Sequence, residues 1–158
     1  MKVLFVSSGN TPFDISPIIK NQGGSLKKQG VNPDYYTIKG KGVKGYFKNI
    51  FTLREFLKSK NYDLVHAHYS LSGMAAALAG AKPLVVSLMG SDIQSGGIWK
   101  IVIRLFQRFR SQATIVKSQR MKDKINLSQA YVIPNGVDFN HFKPMDQKQA
   151  GKKIGLDP

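Results

Sequence analysis

The sequence contains no cysteine, which removes disulfides, thiolate nucleophiles and cysteine-held metals at once and fits a reducing compartment such as the cytosol. Acidic residues are scarce: 9 Asp and Glu stand against 24 Lys and Arg, leaving a formal net charge of +15 in 158 residues. A field of that sign draws polyanions, whether nucleic acid, anionic lipid headgroups or phosphorylated small molecules, unless an acidic partner domain offsets it. Long apolar runs are missing too. Lys82, Asp92 and Lys100 interrupt the most hydrophobic third of the chain, so no segment reads as a bilayer span. The opening Val3-Leu4-Phe5-Val6 run stops at Ser7-Ser8-Gly9-Asn10, too short for a signal peptide, and reads as a buried strand. The loop after it lacks Gly-x-Gly-x-x-Gly, which disfavours a nicotinamide cofactor. No helix-turn-helix, RNP-like or zinc-finger pattern accompanies the charge, so nucleic acid is a disfavoured partner.

What is present is an alternation of hydrophobic periods. Apolar runs at Lys2–Ser7, Asp34–Ile38, Asp63–His66, Pro83–Leu88, Ala113–Lys117 and Ala130–Ile133 have the length of strands. Between them, helical spacing marks Ile15–Gln29, Phe47–Lys60, Ser70–Gly80, Trp99–Arg110 and Arg120–Asn126. Six strands alternating with helices predict an α/β, Rossmann-like three-layer domain with a mostly parallel, doubly wound sheet and helices on both faces. Lys39–Gly45, with Gly40, Gly42 and Gly45, reads as a basic loop. The domain is placed at residues 1–144, with 145–158 a linker that leads to a further, carboxy-terminal domain.

In such sheets ligands gather beyond the carboxyl ends of the strands. Three loops there are rich in small polar residues: Ser7 to Thr11, His66 to Ser70, and Met89 to Asp92. Gly9 lets backbone approach a phosphate or sugar, or else makes a plain tight turn; Asn10 beside it is a candidate ligand contact. His66 and His68 share a face in extended chain. With no cysteine and only His141 besides, a metal site is not expected. His66 reads as packed at the strand end, whereas His68, a step further on, is the candidate to bond a substrate hydroxyl or act as acid or base. Gly90, Ser91 and Asp92 complete the candidates, Asp92 either positioning a hydroxyl or N-capping the next helix. The helix at Trp99–Arg110 carries Lys100, Arg104 and Arg108 on one stripe and Ile101, Val102, Leu105, Phe106 and Phe109 on another, the pattern of a helix that lies in an anionic membrane surface. Lys41 and Lys44, beside Tyr46 and Phe47, point the same way.

The segment Val132-Ile133-Pro134-Asn135-Gly136-Val137-Asp138, followed by Phe142-Lys143-Pro144, resembles the interdomain signature of glycosyltransferase family 4, retaining sugar transferases of GT-B architecture. Asp63 to His68 with Gly73, Gly90-Ser91-Asp92, and Ser118 with Met121 are similar in order and spacing to the family's other landmarks. The resemblance runs over nearly the whole chain. It implies the amino-terminal, acceptor-side half of an enzyme whose other domain holds a UDP- or GDP-sugar, with Pro134 to Asp138 as the hinge and no cofactor in this half. It further implies a glycan or lipid-linked acceptor, a cytoplasmic location peripheral to the inner membrane face, and no catalysis by this half alone. Two departures stand out: Met89 occupies the place where many members have a histidine, and the first loop lacks paired glycines, Gly23-Gly24 falling within the first helix pattern. The alternatives are a GT-B epimerase of nucleotide sugars, and a non-enzymatic basic Rossmann-like module for nucleotides or nucleic acid.

Overall fold

The computed structural model describes residues 1–156 except Thr11, Lys41, Ser95, Gly96, Asn140 and His141, and except the side chain of Val43. The predicted strands form, their ends shifted by no more than two residues: β1 (Lys2–Ser8), β2 (Asn32–Ile38), β3 (Leu64–His68), β4 (Leu84–Ser87), β5 (Ala113–Val116) and β6 (Ala130–Val132). They make one sheet in the order β2-β1-β3-β4-β5-β6, every neighbouring pair parallel. The connecting helices are α1 (Pro17–Lys28), α2 (Gly42–Ser59), α3 (Ser70–Leu78), α4 (Ser91–Gln94), α5 (Ile98–Arg110) and α6 (Gln119–Ile125), and α7 (Gln147–Lys153) follows the sheet. The chain steps outward from β1 to β2 and then returns to lay β3 on the other side of β1. The gap between the carboxyl ends of β1 and β3 is therefore the switch point where such sheets take ligands.

Period-two alternation divides the core. Leu4, Val6, Val65, Ala67, Leu84 and Val86 face one side and pack with Ile50 and Leu53 of α2, Ala75 and Ala76 of α3, Ile103 of α5 and Ile125 of α6. Val3 and Phe5 face the other side, where Ile19 of α1 covers them. Helices cover both faces as expected, although unequally. A right-handed crossover puts every connection on the β3-to-β6 side of the switch point on one face, so only α1 reaches the other. Beyond its reach Val85 and Ile115 stay partly open to solvent and Tyr131 is 61% exposed.

Lys39–Gly45 is not a loop throughout, because α2 starts at Gly42. Packing overrides the weak helix propensity of glycine there. Asn49 donates to the carbonyls of Lys39 and Gly45 at 2.8 and 2.7 Å, and a side chain at Gly45 would lie 2.5 Å from the carbonyl carbon of Gly40. The glycines serve a close crossing of backbone. Gly73 does the same for α3, where a Cβ would lie 2.9 Å from a methyl of Val86. In the segment expected as a linker, Asp146 caps α7 by accepting from the amides of Lys148 and Gln149, and none of that helix is buried. Among the described residues no helix is long and apolar enough to cross a membrane.

Candidate functional site

At the carboxyl edge of β1, the structure turns the first loop inward. Gly9 donates its amide to the carbonyl of Ile38 at 2.8 Å, and a Cβ there would lie 2.8 Å from that of Thr37. Its glycine is required by contact with β2. Asn10 makes a reciprocal pair with Gly40, donating to its carbonyl at 2.7 Å and accepting from its amide at 2.9 Å. Gly9 therefore fastens the end of β1 to the end of β2, and Asn10 fastens it to the turn that leads into α2.

His68 is not a loop residue. Parallel pairing with β4 carries β3 two residues beyond the predicted end, matching His66 to Val85 and His68 to Ser87. Both imidazoles then point to the α1 side, only 6% and 2% exposed. They stack on each other with centroids 4.4 Å apart and meet the ring of Phe5 edge-on. His66 Nε2 shares a 2.8 Å hydrogen bond with the Ser87 hydroxyl, while His68 Nε2 has no partner among the described residues. Burial, aided by the charge of Lys117, pushes His66 down to about 4. Burial, then His66 and Lys117, pushes His68 down to about 2. Both rings are neutral at physiological pH. His68, expected one step into the loop, is thus placed inside the sheet as a core residue.

Asp92 is 0% exposed and caps a different helix from the one the sequence indicated. Its Oδ2 accepts from the amide of Ser70, the first residue of α3, at 3.0 Å. Its Oδ1 accepts from Gly90 and Met89 at 3.0 and 3.1 Å. Burial raises the acid and these three backbone donors oppose the rise. Gly90 has φ 108°, a conformation that glycine takes without strain. Ser91, by contrast, is exposed. Between the two loops Tyr69 takes φ 88°, costly for a residue with a Cβ, and its backbone N–H donates a hydrogen bond to the Ser87 carbonyl at 2.8 Å.

Tyr69, Ser87 and Lys117 all belong to this edge and were not singled out from the sequence. Lys117 had a signal, a lone cation closing an apolar strand run; a strained Tyr69 has none. The residues expected to form a hinge, Pro134, Asn135, Gly136, Val137 and Asp138, follow β6 in exposed, irregular chain. Gly136 has open space around it and no left-handed φ. Val137 and Phe139 are 57% and 78% exposed.

Helix α5 turns outward in an unusual sense. Its buried residues are Ile103 and Gln107, whereas Ile98, Ile101, Val102, Leu105 and Phe109 are between 41% and 79% exposed. At about 100° per residue the bare apolar stripe lies nearly opposite the buried one, with Lys100, Arg104 and Arg108 along one flank. Helix α2 likewise exposes Phe47 and Phe51 beside Lys44 and Lys48. Lys41, also a candidate membrane contact, lies outside the described residues. From Ile93 to Lys122 the sequence holds no acidic residue, so the segment supplies no countercharge of its own.

Residues 13–141 match the family model described as Glycosyltransferase Family 4. A curated relative, the UDP-Gal:alpha-D-GlcNAc-diphosphoundecaprenol alpha-1,3-galactosyltransferase of Escherichia coli, is 30% identical over 116 residues, covering 64% of this chain and 30% of the relative. Sucrose-phosphate synthase from Thermosynechococcus elongatus superposes with a TM-score of 0.76 at 14% identity, over 99% of this chain and 53% of its own. HepE of Anabaena, in complex with UDP-glucose, gives 0.61 at 18% identity, over 98% of this chain and 50% of its own. The chain thus spans less than a third of the curated relative and about half of the solved structures.

Proposed function

The chain belongs to Glycosyltransferase Family 4, and from that premise we propose that it is the acceptor-side half of a retaining enzyme. That enzyme moves a sugar from a UDP- or GDP-linked donor to a lipid-linked or cell-envelope glycan at the cytoplasmic face of the membrane. The curated relative's name pairs a UDP-sugar with a diphosphoundecaprenol-linked acceptor, and HepE was solved with UDP-glucose; both support this donor and acceptor chemistry.

The observation that carries the reading is the outward apolar stripe of α5 with its basic flank. A water-soluble domain gains nothing by exposing Ile98, Leu105 and Phe109 together, whereas a membrane interface removes such surface from water at roughly 25 cal/mol per Å². Anionic headgroups add about 1 kcal/mol for each nearby Lys or Arg. A domain docked in this way holds its carboxyl-edge loops close to an acceptor that cannot leave the lipid. The exposed Val137 and Phe139 support contact between the Pro134 to Asp138 hinge and a second domain, where the donor binds and the reaction takes place. A reacting sugar needs dipoles aimed at developing charge from both walls.

The test is sedimentation with vesicles. The chain is expected to co-sediment with anionic vesicles at low salt, to release as salt rises, and to ignore neutral ones. Equal affinity for both kinds, or none at low salt, overturns the membrane part. Sugar transfer by these 158 residues in the absence of any other domain overturns the divided site.

A further inference from the structure

At the opposite end of α5, away from the carboxyl edge, a cleft of about 460 Å³ opens between the helix end and the start of β4. Its polar lining is Lys82, Arg110, Ser111 and Gln112, and its apolar wall is Pro83, Leu84 and Phe109. From these features we infer that the cleft is a binding site for the phosphodiester headgroup of an anionic lipid. The inference rests on the membrane reading of α5 and goes beyond it by naming a specific seat.

Three observations meet here. First, both cations are exposed, and the ion pairs among the described residues use Lys2, Lys39, Lys58 and Lys60 instead. Lys82 and Arg110 thus keep their charge for an outside anion. Second, Phe109 is shared between the cleft and the apolar stripe. It is 73% exposed, so one ring borders both the acyl region and the polar seat. Third, the helix geometry sets the height. Arg110 follows Phe109 and turns about 100° away from the stripe, so with the stripe sunk roughly 5–10 Å into the headgroup boundary, Arg110 is carried at the level of the phosphates.

The floor of the cleft is fixed. Gln112 donates its amide to the carbonyl of Leu84 at 2.7 Å, and the Ser111 hydroxyl donates to the carbonyl of Gln107 at 2.6 Å. That leaves the guanidinium, the ammonium and the Gln112 side-chain amide as donors toward a phosphate, a charge-assisted set in which Arg supplies a planar fork. The volume falls within the roughly 300–1,000 Å³ of small-ligand sites.

Vesicles of phosphatidylcholine, with and without phosphatidylglycerol, provide the first probe. Lys82→Gln with Arg110→Gln is compared with a charge-matched control, Lys27→Gln with Lys28→Gln on α1 across the sheet. All four side chains are exposed, so the fold should survive, which circular dichroism checks. The cleft variant is expected to lose about tenfold more affinity for phosphatidylglycerol vesicles than the control. Soluble glycerophosphoglycerol should shift the amide resonances of Arg110, Ser111 and Gln112 in the wild type and not in the variant. If both variants weaken vesicle binding equally, the cleft is no headgroup site while the membrane reading stands. If the wild type ignores anionic vesicles, the membrane reading fails and this inference with it. If inorganic phosphate shifts the same amides more strongly than the glycerophosphate does, the site serves free phosphate and the lipid assignment is overturned.

Discussion

Acid should unfold this domain through two side chains. His66 and His68 are buried neutral, with pKa values of about 4 and about 2 against the ordinary 6.5. Below 6.5 the unfolded chain binds protons that the folded chain refuses, so their contribution is fully present above that value and is lost as pH falls toward the folded values. The slope is about 1.4 kcal/mol per pH unit for each ring. From neutrality to about pH 5 each forfeits roughly 2 kcal/mol and the pair roughly 4, a large part of a typical stability of about 5–15 kcal/mol. At 6% and 2% exposure, solvent does little to screen this. Urea unfolding of the wild type and of His66→Gln/His68→Leu across this range provides the assay; Gln keeps a hydrogen-bonding group for Ser87. Asp92, raised by burial, and the general positive charge act equally in both proteins and cancel in the difference. The wild type should lose stability toward pH 5 far faster than the variant. Parallel curves would show that the rings are reached by water and that the buried placement is wrong.

Other substitutions probe the contacts one at a time. Asp92→Ala strips the acceptor from the amides of Ser70, Gly90 and Met89 and should cost about 2–4 kcal/mol in urea unfolding, with Asp92→Asn milder. Gly73→Ala drives a methyl against Val86, an overpacking cost of about 1–3 kcal/mol, read as a lower thermal midpoint. Asn10→Ala breaks a two-bond clasp on Gly40 that is exposed to solvent, with an expected loss near 1 kcal/mol. Leu105→Glu, at 48% exposure, should leave stability within about 0.5 kcal/mol and yet abolish sedimentation with anionic vesicles.

The strand alternation, the doubly wound order and the placement of α5 were legible because each is a periodicity, and burial follows periodicity. Lys39 to Gly45 was misread because glycine signals permission, and whether it permits a loop or a tight crossing depends on Asn49 and Gly40, contacts that sequence spacing does not display. His68 lies in a strand rather than a loop for a related reason. A parallel strand ends where its neighbour's pairing ends, so β4 decided which side of the loop boundary that ring occupies. Asp92 was correctly linked to capping, but to the wrong helix, since its true client α3 precedes it by more than a dozen residues and meets it only through the fold. The outward sense of α5 was implicit in its two stripes. What the sequence withheld was that the sheet would be satisfied by Ile103 and Gln107 and leave the richer stripe bare.

The carboxylate at the head of α3 has an electrostatic consequence for any partner. The amino end of a helix is ordinarily the natural perch for a ligand phosphate, drawn by free amides and the positive pole of the peptide dipoles. In this chain Asp92 already sits there, so the perch is taken and a second anion arriving at it would meet like charge. An anion brought to this edge must accordingly be neutralised by other groups, such as the partly buried Lys117 that follows β5, and the head of α3 is better suited to uncharged hydroxyls.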